Sequence, residues 1–272
     1  LNAWLKEHDK VREDFVIVEK EILEPLNRIL HTTKLMMTAI KDKFKGGDPI
    51  VYIGGKDNFR EDVASEMPYK GNRFSKEKRQ KYRDAGRFIE WLDATEEKYK
   101  APVRPFYEDK IREYLIKYWG AIVVDGQEAD DALGIKQTLM EYSSTQMALS
   151  GKQYIRTVIV TVDKDLKMIK GWNQNLSGMD TDPELIDPLT ADRNFYAQLI
   201  SGDGVDNIPG IKGYGKVKSA KAVAECNTIK EMWDAVQQVY LDKDDGISRE
   251  TIIQRAQLLW IRRNEEELWE PI

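Results

Sequence analysis

A single cysteine, Cys226, and two histidines, His8 and His31, are all the soft metal ligands that 272 residues contain. One thiol excludes an internal disulfide, and so short a supply of thiolate and imidazole excludes the usual zinc sites. A bound metal would be held by oxygen, which favours Mg²⁺ or Mn²⁺. No apolar run approaches the roughly 20 residues of a membrane span. The opening Leu1-Asn-Ala-Trp-Leu-Lys-Glu-His8 is a polar helical pattern and carries no signal-peptide core. The sequence also has no repeats, no low-complexity tracts and no evident flexible linker. The expectation is a monomeric cytoplasmic protein, in the host cytoplasm if viral, with no membrane contact. A hydrophobic share of 41% and a charged share of 33% fit a soluble globular chain of one large domain or a domain with an appendage.

The formal charge of −5 argues at first against a nucleic-acid partner. The charge is unevenly spread, however. Between Lys70 and Arg87 stand Lys70, Arg73, Lys76, Lys78, Arg79, Lys81, Arg83 and Arg87, opposed only by Glu77 and Asp84. From Gly210 to Lys221 there are four lysines and no acid. Two basic patches and an acidic centre are what a phosphodiester nuclease needs, one sign for the backbone and the other for metals.

Along the chain, apolar positions near helical spacing predict a long helix from about Glu19 to Phe44, stopped by Lys45-Gly-Gly-Asp-Pro49. Short β-rich runs then alternate with helices. Ile50–Ile53 ends in Gly54-Gly55, Tyr107–Tyr118 is helical before a strand at Ala121–Val124, and Asp130–Met147 is helical before a strand at Thr157–Val162. That alternation predicts an α/β fold built on a parallel sheet. After about Asp192 the pattern turns to helices and glycine-rich turns, placing a soft boundary near 190.

In parallel α/β sheets ligands sit at the carboxyl ends of strands. Val124 is followed by Glu128-Ala-Asp130-Asp131, and Val162 by Asp163-Lys-Asp165. Asp203 and Asp206 lie in a Gly-Asp-Gly-Val-Asp-Asn loop. Each group alone is ordinary, since acids at a helix start complement its dipole and Asp is common in turns. Together they would bring like charges close, at a cost that cations relieve. Two divalent ions roughly 4 Å apart would do so and would clamp a phosphodiester undergoing in-line displacement, with metal-bound water as nucleophile.

These residues carry a resemblance to the phage and bacterial 5′-3′ exonuclease and flap-endonuclease family, a branch of the PIN-like nucleases, and most of all to its small phage members. The matching segments are Met67-Pro-Tyr69-Lys70-Gly-Asn-Arg73, Glu128–Asp131, Thr161-Val-Asp163-Lys-Asp165-Leu, and Gly202-Asp203-Gly-Val-Asp206-Asn207-Ile-Pro209-Gly210-Ile-Lys-Gly213-Tyr-Gly215. They stand in the family's order from about residue 50 to 225. Ile252-Ile-Gln-Arg…Leu-Trp260-Ile-Arg-Arg-Asn264 is similar to small phage exonucleases as well. The resemblance implies a PIN-like, Rossmann-like core over 1–190, with an arch at about 74–106. A helical DNA-binding region containing a helix-hairpin-helix, or helix-three-turn-helix, would span 191–272.

It further implies that Glu128 and Asp130 help to hold one Mg²⁺ or Mn²⁺ ion and that Asp163, Asp165, Asp203 and Asp206 hold a second. Asp131 would lie between them or behind. Lys70 and Arg73 match positions that contact the scissile phosphate, one as a point charge and the other as a fork. Tyr69 could stack on a terminal base. Gly210, Gly213 and Gly215 would let backbone N–H groups reach phosphates, with Lys216 and Lys218 on the helix that follows. Carbonyls of that hairpin hold a monovalent cation, such as K⁺, in relatives. In the arch, basic residues interleave with Tyr82, Phe88, Trp91 and Tyr99. Such interleaving suits single-stranded DNA, although aromatics at helical spacing more often pack. The implied activity is hydrolysis of DNA at duplex 5′ ends, nicks and 5′ flaps.

Two departures from the family pattern stand out. Relatives begin with a strand ending in a metal-binding Asp, and here Val16–Glu19 leads straight into the helix, so an upstream segment of the native protein is expected. Many relatives carry an acid where this chain has Gly54-Gly55. A catalytically impaired branched-DNA-binding module and a PIN-type ribonuclease are the alternatives.

Overall fold

The computed structural model describes residues 15–44, 47–102, 105–149, 157–243 and 246–272, with 15–25 and 141–149 described by their backbone. The polar opening with His8 therefore lies outside the described residues, as does part of the expected stop at 45–49. Two compact units divide the chain, Leu1–Val51 with Arg104–Ile122, and Tyr52–Val103 with Val123–Ile272. The boundary expected near 190 falls inside the second unit.

The first unit holds α1, Phe15–Lys43, and α5, Glu108–Trp119, which pack on each other. Helix α5 starts with Glu108 and Asp109 and carries Lys117 in its last turn, the order of charges that opposes the helix dipole. Gly120 ends it at φ +62°, a left-handed conformation that costs glycine nothing.

In the second unit β1, Tyr52–Gly54, is followed by the short α2, Phe59–Val63, and by the pair α3, Lys76–Asp84, and α4, Ile89–Glu96. Strand β2, Ile122–Val124, pairs with β1. The Ile122 N–H donates to Val51 O, and the Gly55 N–H to Val124 O, so the two run in the same direction. Helix α6, Ala129–Leu149, packs on β1, on β3, Val158–Thr161, and on β4, Gly171–Asn175. Strand β3 is the β-branched run the sequence marks out, and it pairs in parallel with β4, Val158 opposite Trp172 and Thr161 opposite Asn175. Strand β5, Glu184–Ile186, adds an antiparallel edge. The core strands and helices agree with the expected α/β fold to within a few residues at their ends.

The apolar core of this unit is helical. It lies where α7, Pro188–Ser201, meets α8, Lys216–Val223, α9, Ile229–Asp242, and α10, Arg249–Leu259. Phe195, Leu199, Ile200, Met232, Val236 and Ala256 are fully buried there. Helix α7 is set by Asp187, whose side chain accepts from Thr190 N, and by Pro188 in its first turn. A second small cluster, Phe74, Tyr82 and Leu92, joins α3 to α4.

Candidate active site

A pocket of about 1060 Å³ opens beside the carboxyl end of β3. Four separate segments bring side chains to it. The turn after β3 supplies Asp163 and Asp165, the start of α6 supplies Glu128 and Asp130, and the loop after α7 supplies Asp203 and Asp206. The loop after α2 supplies Tyr69, Lys70 and Arg73. Six of the seven acids singled out in the sequence thus line one cavity.

The loops are joined through their backbones. The Lys70 N–H donates to Asp206 O at 2.9 Å, and the Asn207 amide to Pro68 O at 2.9 Å. Lys70 itself sits at φ 52°, a left-handed conformation that a non-glycine residue holds only against strain. The Asp203 loop is closed by two N–H···O bonds between Asp203 and Ile208 and by Asp203 Oδ1 accepting from the Val205 and Asp206 N–H groups. Its first and last glycines cross in direct backbone contact. A Cβ on Gly202 would lie 2.2 Å from Gly210 N, and one on Gly210 would lie 2.0 Å from Ser201 O. The glycine the sequence suggested for phosphate approach at 210 therefore has a packing role.

The electrostatics of the cavity are those of crowded carboxylates. Burial, then the charges of Asp163 and Glu128, push Asp130 up to about 7. Burial likewise raises Asp165 and Asp206 above the ordinary carboxylate range. Three donors partly relieve the crowding. Lys70 Nζ is ion-paired with Glu128 and lies 3.6 Å from Asp206 Oδ2. Arg73 Nη2 donates to Asp206 Oδ1 at 3.2 Å, and the Tyr69 hydroxyl lies 3.0 Å from both Glu128 Oε2 and Asp206 Oδ2. Among the described residues no three acidic, histidine or cysteine side chains converge tightly enough to form a finished metal cage.

Asp131 and Tyr69 stand apart from the other expected residues, the first behind the cavity and the second on its wall. Asp131 is fully buried and faces away from the cavity. Both its oxygens are occupied, by Arg60 Nη1 and Nη2 and by the N–H groups of Glu128 and Arg262. Burial opposes its ionisation, yet the bonds and charge of Arg60 outweigh that and hold the carboxyl below its usual range. Tyr69 is 4% exposed, so its ring has no free face for a base. A stacking role is corrected to a hydrogen-bonding one.

Of the glycine hairpin, Lys216 lines the pocket while Gly213, at φ +84°, and Gly215 lead into α8. Gly215 offers no side chain to cap that helix, which leaves its first N–H groups for other acceptors. Lys218 Nζ sits 3.8 Å over the Tyr214 ring. In the segment expected as an arch, 74–106, of which 103–104 lie outside the described residues, the aromatics pack. Phe74 stacks on Tyr82 at 5.0 Å, and buried Arg79 lies over Trp91 and Tyr99.

Sequence reasoning missed Arg60, Gln198, Lys164 and Lys167, all of which line the pocket. No local pattern flags them. Arg60 is recognisable only from its partners, which include Leu258 O and Trp260 O as well as Asp131.

The parallel-sheet core, with acids at its strand ends and helices beyond it, has the fold of solved 5′-exonuclease and flap-endonuclease structures. Among solved structures it is shared with the zinc-bound 5′-exonuclease of bacteriophage T5, at a TM-score of 0.53 and 16% identity over 90% of this chain and 84% of that one. The T5 D15 flap endonuclease in complex with DNA and metal ions aligns at 0.51 and 15% identity, over 86% and 80%. In sequence, DNA polymerase I of Deinococcus radiodurans is 30% identical over 135 residues. That match covers 47% of this chain and 13% of the polymerase. No protein-family model matches the chain.

Proposed function

We propose that the chain is a structure-specific, divalent-metal-dependent 5′-nuclease that hydrolyses phosphodiester bonds of DNA at duplex 5′ ends, nicks and 5′ flaps. A place in phage DNA replication, repair or recombination would suit it. The observation that carries this reading is the gathering of six carboxylates from three segments in one pocket, edged by Lys70 and Arg73. Carboxylates raised by burial and then by one another's charge are hard oxygen donors short of positive charge, so the donor set suits Mg²⁺ or Mn²⁺ in kind. Its relatives in fold include a flap endonuclease solved with DNA and metal ions and a zinc-bound 5′-exonuclease.

In this reading Glu128 and Asp130 hold one ion, and Asp163, Asp165, Asp203 and Asp206 hold the other. The ions would supply a lowered water pKa and charge for the leaving oxygen. The chain's own part is to orient and to neutralise. Lys70, now paired with Glu128 and near Asp206, would exchange those carboxylates for a phosphate oxygen, and Arg73 would do the same from the rim. Lys216 and the uncapped start of α8 would bind the duplex backbone, which selects by shape and not by sequence. A K⁺ ion at the Gly210–Gly215 carbonyls would serve the same contact.

The test is cleavage of 5′-labelled flap and nicked duplexes with Mg²⁺, against Asp163→Asn and Asp165→Asn. Equal turnover by both variants sinks the reading. One observation favours an inactive branched-DNA-binding module instead. Strand β1 ends at Gly54 and is followed by Gly55, and so brings no carboxylate of its own to the Glu128–Asp130 side. Tight flap binding without cleavage would select that alternative, and preference for RNA over DNA would select a PIN-type ribonuclease.

A further inference from the structure

Of the acids in the pocket, those on one side are ion-paired, whereas on the other Lys164, Lys167 and Lys216 line the wall with no ion pair to Asp165 or Asp203 among the described residues. Glu128 and Asp206 are paired with Lys70, and Asp206 also with Arg73. Among the described residues, Asp165 and Asp203 have no ion-pair partner. What lies between them is Gln198. Its Nε2 is 3.2 Å from Asp165 Oδ2 and 3.2 Å from Asp203 Oδ2. An amide nitrogen carries two N–H bonds, so one group can serve both carboxylates at once.

Gln198 is held firmly enough to act as a spacer. It sits on α7, whose neighbouring residues Phe195, Leu199 and Ile200 are fully buried. One turn earlier on the same face, the Asn194 amide donates to Lys167 O at 3.0 Å. Positions 194 and 198 therefore bind two points of the 165–168 turn, Lys167 O and the Asp165 carboxylate, like successive rungs. The Gln198 carbonyl accepts from the Gly202 N–H at 2.7 Å, at the entrance of the loop that carries Asp203. A single residue thus touches the β3 turn and the glycine loop, which meet nowhere near each other in sequence.

From this geometry we infer that Gln198 is a positioning residue for the ion site of Asp163, Asp165, Asp203 and Asp206, setting the Asp165–Asp203 spacing while leaving their charge intact. A lysine in its place would satisfy the same oxygens but would neutralise them and compete with the cation. A neutral donor spaces them and leaves the charge deficit for the metal. The inference rests on the metal-dependent reading proposed above.

The experiment is calorimetric titration of the metal-free chain with MnCl₂, for the unaltered protein, Gln198→Leu, Gln198→Lys and Asp165→Asn. Gln198→Leu is expected to weaken Mn²⁺ binding about 10- to 100-fold, the usual cost of losing a group that orients metal ligands. Gln198→Lys is expected to raise Tm in EDTA and to lose the rise in Tm that Mn²⁺ gives the unaltered protein. A purely structural role would lower Tm in both variants and leave Mn²⁺ affinity alone. Should Gln198→Leu fold poorly, Gln198→Asn, uncharged and too short to reach both carboxylates, replaces it in the titration with the same expected loss. If the variants that fold bind Mn²⁺ within about twofold of the unaltered protein, the role of Gln198 is overturned and the metal reading stands. If the unaltered protein and Asp165→Asn titrate alike, both are overturned.

Discussion

Arg60 grips Asp131 at two points, Nη1 to Oδ2 at 2.6 Å and Nη2 to Oδ1 at 2.8 Å, with the two side chains 3% and 0% exposed. Asp131 lies behind the pocket and Arg60 at its wall, where Asp131 fixes the Glu128 N–H and Arg60 fixes two carbonyls, Leu258 O and Trp260 O, at the end of α10. Removing one partner strands a buried charge. Arg60→Ala or Asp131→Ala is expected to cost about 3–5 kcal/mol in chemical denaturation. The double replacement Arg60→Met with Asp131→Leu should recover much of that loss, because a buried pair rarely beats well-packed apolar groups. Equal losses in the single and double variants would contradict this account.

Asp130 gives the site a pH signature. Its folded-state value of about 7 lies above the ordinary 3.8, so the folded chain binds the extra proton between those limits. Stability from this group is full below about pH 4 and declines as pH rises through 7 in metal-free buffer. Thermal melts in EDTA should show that slope, and Asp130→Asn should flatten it. Mn²⁺ should release protons on binding near pH 6–7, measurable as a buffer-dependent heat.

The Gly202–Gly210 crossing leaves no room for a methyl group. Gly210→Ala is expected to spring open the loop that carries Asp203 and Asp206, at a cost of about 1–3 kcal/mol, and to abolish cleavage. Gly213→Ala has open space around it but sits at φ +84°. It should therefore strain the hairpin by about 1 kcal/mol and spare the acids. Comparing Mn²⁺ affinity in the two variants checks the distinction.

Lys70 should divide binding from turnover. Lys70→Ala frees Glu128 and Asp206 from their internal cation, so Mn²⁺ affinity is expected to rise while kcat falls about 10²- to 10³-fold. A variant that lost both together would place Lys70 in the scaffold and not at the phosphate. Lys70→Arg should restore part of the turnover only if a point charge is not essential.

What could be read from the sequence was whatever is local. The β-branched run at Val158–Thr161 and the acids that follow it stand side by side in the chain, and both are where they were expected. Strands β4 and β5 were not legible, because Gly171-Trp-Asn-Gln-Asn has a polar interior. Asn173 and Gln174 are buried in it, Gln174 bonding Gly178 O at 2.8 Å, so packing overrode propensity. That Asp131 would lie between the ions or behind them was implied by the resemblance alone, and its partner Arg60, 71 positions earlier, was not legible. Tyr69 was misjudged for the same reason, since a ring's burial is decided by neighbours far along the chain. Pairings such as Gln198 with Asp165 arise from tertiary placement, and no spacing rule announces them.

The bonds from Arg60 to Leu258 and Trp260, and from Asp131 to the Arg262 N–H, span 198, 200 and 131 positions. On a ribosome, the Glu128 loop would stand unbraced until almost all of these 272 residues had been translated. Contacts so distant form late and pay the entropy of a long closed loop before they return anything. A nascent chain would thus carry Glu128 and Asp131 long before the residues that brace them, and the geometry of the pocket would be set by one of its latest contacts.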